Sequence, residues 1–455
     1  MDRSWRAAVT TLCGATLLVL LLLLPVAAGA LPPQYPAGWS ISPGGVLLLG
    51  DYTSDAGLCK GPSGFVFEAA SGRSTAGGYE ARVSKVSVAT GAVAGHWAYP
   101  AVPDTRAFIP KAIARDAKGN IVVAMQDQAA SGWMVAKFSP AGVLLWDRPY
   151  AVGADRSPAV ICFDSTGAVI VAGQAGVSAE RGQVGIVVKW TAAGVFKWAQ
   201  VVKGSGAVID YLWSASTDAN GNVYACGMLG SAPLAKAVVR SYSPAGKQRW
   251  SVTVAQATRS ARFTSLVVKG ASLYVTGDCH GSVDGGLLAA KYTLGGKRLW
   301  GGVKMLRYPH GAAANDLAVD RTNAMVIVGE AEEIGATSVD TPIIWKVSPL
   351  GRSAWHREVA VPRSSNGGFR AVALDSKDRI YAAGGANVPQ PFNGMLAMRY
   401  SAAGAAQAMW APHAAASGYG ELLSVVVASD SQVVVSGIFE AGVRNAILYR
   451  AKTTR

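Results

Sequence analysis

Seven tryptophans recur along this chain at nearly even intervals, and that period constrains the fold more than any other feature. They are Trp97, Trp146, Trp198, Trp250, Trp300, Trp355 and Trp410, separated by 49, 52, 52, 50, 55 and 55 residues. A glycine stands four residues before five of them, at Gly142, Gly194, Gly246, Gly296 and Gly351. At the two ends the gap stretches to six, from Gly91 and Gly404. The segments SPAGVLLW, TAAGVFKW, SPAGKQRW, TLGGKRLW and SPLGRSAW share one turn chemistry. Pro in the second place and Gly in the fourth suit a tight type I turn between two short strands.

A second hairpin precedes the first in each unit. It reads ICFDSTGAVIVAG at 161–173, SASTDANGNVYACG at 214–227 and LAVDRTNAMVIVG at 317–329. Asp opens the turn because its carboxylate accepts a backbone N–H two residues on. Asp116, Asp164, Asp218, Asp320 and Asp375 are therefore assigned a structural task. A calcium loop at Asp218-Ala-Asn-Gly-Asn is not supported: it lacks the sixth-position Gly and has Leu229 where an acid is needed.

Four strands in roughly 50 residues, repeated many times, predict an all-β fold: a single β-propeller of four-stranded antiparallel blades. Eight blades fit the length. Seven follow if the first or last unit only completes a neighbour, and the last unit shows no outer strand of its own. Residues 51–78, Gly- and Ser-rich and containing Cys59, read as an insertion loop in the first unit. With 50% apolar and 15% charged residues, the chain is not disordered.

The N-terminus carries Arg3 and Arg6, an apolar run at Leu17–Leu24, Pro25, and the small-x-small triplet Ala28-Gly29-Ala30. Residues 1–30 read as a secretory signal and 31–455 as the propeller, giving a secreted or extracytoplasmic protein. An uncleaved anchor is the alternative, because Ala7 to Leu31 has no charge. A membrane is expected as a partner only in that case. The net charge of +14 favours anionic surfaces, but the Lys and Arg are scattered, so nucleic acid is not expected. Cys59, Cys162, Cys226 and Cys279 allow three full disulfide pairings after export. None lies in a Cys-x-x-Cys, so neither a metal site nor a cofactor is expected.

The pattern VICFDSTGAVIVAG…GIVVKWTAAGVFKW is similar to the bacterial SBBP propeller repeat. Ala136, Gly142 and Trp146 also match the tryptophan-docking motif of quinoprotein-like propellers, with Phe138 and Ala141 in place of its Asp and Thr. The resemblance implies docking roles for the seven tryptophans rather than a ring of sugar-binding rings. It is weak for activity. A quinone dehydrogenase that stacks its cofactor on a vicinal disulfide needs adjacent cysteines, which this chain lacks.

No catalytic motif stands out among His96, His280, His310, His356 and His413. The chain therefore reads as a monomeric binding module for an anionic glycan, a cell-envelope polymer or a protein. The alternative is an enzyme (lyase, hydrolase or quinone-dependent dehydrogenase) with its site at the channel mouth. Candidate ligand residues at the entries of the inner strands are Lys111, Arg370, Asn315, Asp316, His310 and Trp213. Lys111 and Arg370 are the expected anion contacts, and His310 with Asp316 the possible acid–base pair.

Overall fold

The computed structural model describes residues 37–41, 57–73, 79–100, 107–128, 132–151, 157–178, 182–204, 210–230, 234–255, 259–280, 285–308, 311–333, 339–359, 367–386, 394–410, 419–430, 432–440 and 444–452. Every regular element among them is a strand. The strands form eight four-stranded antiparallel sheets. Seven blades are each one consecutive run, at 57–99, 108–151, 158–202, 211–254, 260–308, 312–358 and 368–410. We number these blades 1 to 7. Their count matches that of the repeated tryptophans.

The eighth blade joins the two ends of the chain. Its inner strands run from 419 to 452, and its outer strand is Ala37–Ile41, paired antiparallel to Arg444–Lys452 with Ile41 opposite Leu448. This strand supplies what the last repeat lacks. The first blade is then rebuilt from residues that the sequence suggested were loop: Gly57–Lys60 and Phe65–Arg73 are strands within the 51–78 segment. Phe67 and Ala69 there are wholly buried against Phe108 and Val123 of blade 2. Continuous burial from Val66 to Ser71, not composition, decides that segment. Ring closure between blades 8 and 1 is made by Val66, Val86 and Val434, and by the Leu58 N–H donating to Ser424 Oγ at 3.1 Å.

Neighbouring blades share one seam design. Trp146 of blade 2 lies against Gly194 of blade 3, where an added Cβ would come within 2.7 Å of the indole. The same contact recurs from Trp97 to Gly142, Trp198 to Gly246, Trp250 to Gly296, Trp300 to Gly351 and Trp355 to Gly404. These glycines also hold positive φ, so a side chain is excluded twice over. The indole N–H donates into the same turn: Trp146 to the Ala192 carbonyl at 3.1 Å, Trp198 to Pro244 at 3.0 Å, Trp250 to Leu294 at 3.1 Å, Trp300 to Pro349 at 2.9 Å.

A lysine reinforces three seams. Lys189 Nζ pairs with Asp164 at 2.7 Å and donates to the Pro244 carbonyl at 3.3 Å, so that oxygen accepts from both Lys189 and Trp198. Lys137 with Asp116 and Lys346 with Asp320 repeat the pairing at 2.8 Å. The turn Asp is thus both a turn former and the counterion of a buried lysine. Burial alone raises the Asp164 carboxyl, but Lys189, Thr166 and the Ala168 N–H outweigh it and hold the group below the usual carboxylate range. Of the five cysteines in the chain, the four among the described residues are separate thiols, one in each of blades 1, 3, 4 and 5. Burial pushes Cys59 and Cys162 up to about 12.

Candidate functional site at the channel mouth

The inner strands of blades 2 to 8 share a β-bulge. Pairing skips one residue in each: Lys111, Ala159, Trp213, Thr264, Asn315, Arg370 and Leu423. The bulge drives the backbone toward the second strand, and a glycine there makes room. A Cβ at Gly173, Gly227, Gly277, Gly329, Gly384 or Gly437 would lie between 1.8 and 2.4 Å from a carbonyl oxygen of the inner strand. Blade 2 has Met125 at this place, opposite Pro110. A bulge re-aims one side chain out of the ladder. Repeated around the ring, it makes a circle of positions near the start of each inner strand, and four of the six sequence candidates fall on it.

The structure divides those candidates. Asn315 is a seam residue, its Nδ2 donating to the Phe369 carbonyl of blade 7 at 2.9 Å, as Thr264 Oγ1 donates to Ala314 of blade 6 at 2.7 Å. Asp316 bridges three blades. It accepts from Ser265 Oγ of blade 5 at 3.1 Å, from its neighbour Leu317 N–H at 2.8 Å and from Val372 N–H of blade 7 at 3.0 Å. Burial, opposed by these donors, raises its carboxyl to about 6. Arg370 lies between Glu330 of blade 6, at 2.8 Å, and Glu421 of blade 8. These contacts make it an inter-blade tie, with a side chain 32% exposed. Lys111 is half-buried, pairs with no carboxylate among the described residues, and has its pKa lowered by burial. His310 lies outside the described residues, and with it the pair with Asp316.

Trp213 stands apart. The docking tryptophans are committed to seams, and Trp133, Trp190 and Trp345 are buried in blade cores. Trp213 is half-buried and stacks on Tyr211, with ring centroids 5.2 Å apart and planes 22° apart. Arg262 of blade 5 lies 5.8 Å from the Trp213 ring centroid. The Arg262 Nε donates to both carboxylate oxygens of Asp278, at 2.9 and 3.1 Å. Asp278 is fully buried and also holds His280 Nε2 at 2.7 Å and the Ala314 N–H at 3.3 Å. The His280 side chain is 47% exposed and that of Arg262 36%. A dry carboxylate thus fixes an accessible imidazole and an accessible guanidinium beside two stacked rings. Neither Asp278 nor His280 stood out in the sequence. The available signal was a departure from the repeat: VTGDCH places Asp after Gly277, where blades 3, 4, 7 and 8 have Gln174, Met228, Gly385 and Ile438.

Among the described residues no cluster of three His, Cys, Asp or Glu could hold a metal ion. No protein-family model matches the chain, and no curated protein sequence matches it. Solved structures that it resembles include the polysaccharide lyase Uly1, at 10% identity and TM-score 0.48 over 75% of this chain and 89% of that one. Drosophila Plexin A in complex with Semaphorin 1b aligns at 8% identity and TM-score 0.47, over 92% and 88%. The β-propeller domain of the Trilobed protease from Pyrococcus furiosus aligns at 6% identity and TM-score 0.43, over 76% and 96%.

Proposed function

We propose that this propeller is an extracytoplasmic binding module that holds an acidic glycan at the channel mouth of blades 4 and 5. The observation that carries the reading is Trp213: among the tryptophans whose burial the structure describes, it is neither docked in a seam nor buried in a blade. A flat, partly wet indole stacked on a tyrosine offers an apolar face to the C–H face of a sugar ring at little entropic cost. Arg262 adds the charge preference. Its Nε is anchored to Asp278, its guanidinium lies over the Trp213 ring, and its side chain is 36% exposed. Such a fork is oriented in advance for two parallel hydrogen bonds to a carboxylate.

Titration of the exported chain with oligosaccharides of uronic acids and of neutral sugars tests this reading. Binding restricted to the acidic set is expected, with Trp213→Ala weakening it by about tenfold or more and Arg262→Met removing the acidic preference. Unchanged affinity in Trp213→Ala, with unchanged circular dichroism, overturns it.

An enzymatic reading has one specific observation in its favour. The buried Asp278 orients the exposed His280, which is the arrangement by which a carboxylate aligns an imidazole for proton transfer. Product formation from the bound glycan, abolished by His280→Ala with binding retained, decides for it.

A further inference from the structure

Both hairpin turns of each of blades 1 to 7 lie on one face, opposite the mouth. In blade 2 the first turn packs on the second, since a Cβ at Gly119 would sit 3.3 Å from Pro140. In blade 4 Gly221 lies likewise beside Pro244. Charge is sorted on this face. The turn carboxylates Asp116, Asp164, Asp218, Asp320, Asp375 and Asp378 are all buried. Asp430, the remaining acid on these turns, accepts from the Ser376 N–H at 3.0 Å. Among the described residues that acid is half-exposed, and the fully exposed charges at the turn tips include the cations Lys118, Lys247, Lys297, Arg298, Arg352 and Lys377.

The same tips carry large apolar groups, concentrated in blades 2 and 3. Val143 is 63% exposed, Val195 60%, Phe196 52% and, in blade 6, Leu350 76%. At the places that Val143 and Val195 occupy after the turn glycine, blades 4, 5 and 6 have Lys247, Lys297 and Arg352. A cavity of about 390 Å³ opens at the seam of blades 2 and 3, lined by Leu145, Trp146 and Ala192.

We propose that the turn face seats on an anionic lipid bilayer, independently of any ligand at the mouth. The apolar tips of blades 2 and 3 enter the acyl boundary, and the cations of blades 4 to 7 meet the headgroups. Charge complementarity selects this occupant: a face whose accessible charges are predominantly cationic and whose apolar groups sit on separate tips fits a flat, fluid, negative surface. A folded protein partner would need a continuous patch with a polar rim of both signs. Docking this way leaves Trp213 and Arg262 facing away from the membrane.

The test is co-sedimentation of the full chain with vesicles of phosphatidylcholine alone and of phosphatidylcholine with phosphatidylglycerol. Two double variants are compared, Val195→Ser with Phe196→Ser, and Lys297→Glu with Arg298→Glu. The N-terminal apolar segment is common to all three proteins, so its contribution cancels. Binding to the anionic vesicles is expected to weaken by about tenfold in either variant and to fall with added salt. Equal binding by all three proteins, or equal binding to neutral and anionic vesicles, overturns the proposal. So does a dimer that the apolar variant abolishes while vesicle binding persists.

Discussion

The seams between blades and the circle of bulges around the channel use the same repeat in opposite ways. At the six seams from blade 1 to blade 7 nearly the same residues repeat, an indole against a glycine and, in three of them, a lysine against a turn aspartate. At the bulges the backbone repeats but the side chains do not: Lys111, Ala159, Trp213, Thr264, Asn315, Arg370 and Leu423 have little chemistry in common. Geometry that must close a ring is copied from unit to unit. Positions that the ring merely presents are free to diverge, and that is where a ligand site can be placed.

The seam half of this contrast predicts large stability effects. Lys189→Met leaves Asp164 buried without its counterion, with side chains that are both 5% exposed in the native pair. A loss of about 3–5 kcal/mol is expected from an uncompensated buried charge, read as a drop in denaturant midpoint. Trp198→Ala removes the ring that covers Gly246 and the donor to Pro244, for a similar loss of about 3–5 kcal/mol. The double variant should lose less than the sum, because both donors meet at one carbonyl oxygen. Strict additivity would show that the seam is not one cooperative contact.

These contrasts also explain what was legible in the sequence. Trp97 to Trp410, the turn glycines and the turn aspartates announce themselves by repeating, and they are the parts that fix the fold. Lys137, Lys189 and Lys346 repeat too, in VAKF, VVKW and IWKV, but a lysine in a strand reads as exposed until its aspartate is placed across the blade. The strands at Gly57–Lys60 and Phe65–Arg73 were hidden because the turn between them, Gly61-Pro62-Ser63-Gly64, lacks the aspartate that marks blades 2, 3, 4, 6 and 7. The outer strand Ala37–Ile41 was hidden because its partner lies some four hundred residues away, at Arg444–Lys452. Asp278, the centre of the candidate site, is visible only as a residue that breaks the pattern.

Between the two regimes stands the bulge glycine, which belongs to the backbone of the circle. Gly227→Ala places a Cβ 1.8 Å from the Tyr211 carbonyl oxygen, a clash that only backbone movement relieves. A cost of about 1–3 kcal/mol is expected. Because Tyr211 stacks on Trp213, the same substitution should also disturb glycan affinity, whereas Trp198→Ala at the seam should not. Calorimetric titration of the two variants checks this split.

The smallest effect concerns Asp316, which ties blades 5, 6 and 7. Its folded pKa, raised to about 6 by burial against an ordinary value of 3.8, means that the native state binds this proton more tightly than the unfolded chain does. The group's contribution is therefore fully present below pH 3.8 and is lost as pH rises through about 6. Stability measured between those limits should carry a negative slope with pH from this residue, beneath the opposite slope from Asp116, Asp164 and Asp320, whose lowered values act at more acid pH. Asp316→Asn removes the titration and keeps one acceptor oxygen, enough for the Ser265 and Leu317 donors on Oδ1, while its NH2 takes the place of the oxygen that faces the Val372 N–H. Its thermal midpoint should start lower, by the lost Val372 hydrogen bond, run parallel to that of the natural chain below pH 3.8, gain on it between pH 3.8 and about 6, and run parallel again above. Parallel curves over the whole range would show that the carboxylate is solvated well enough to ionise without cost. The circle would then hold its polar groups as loosely as the seams hold theirs tightly.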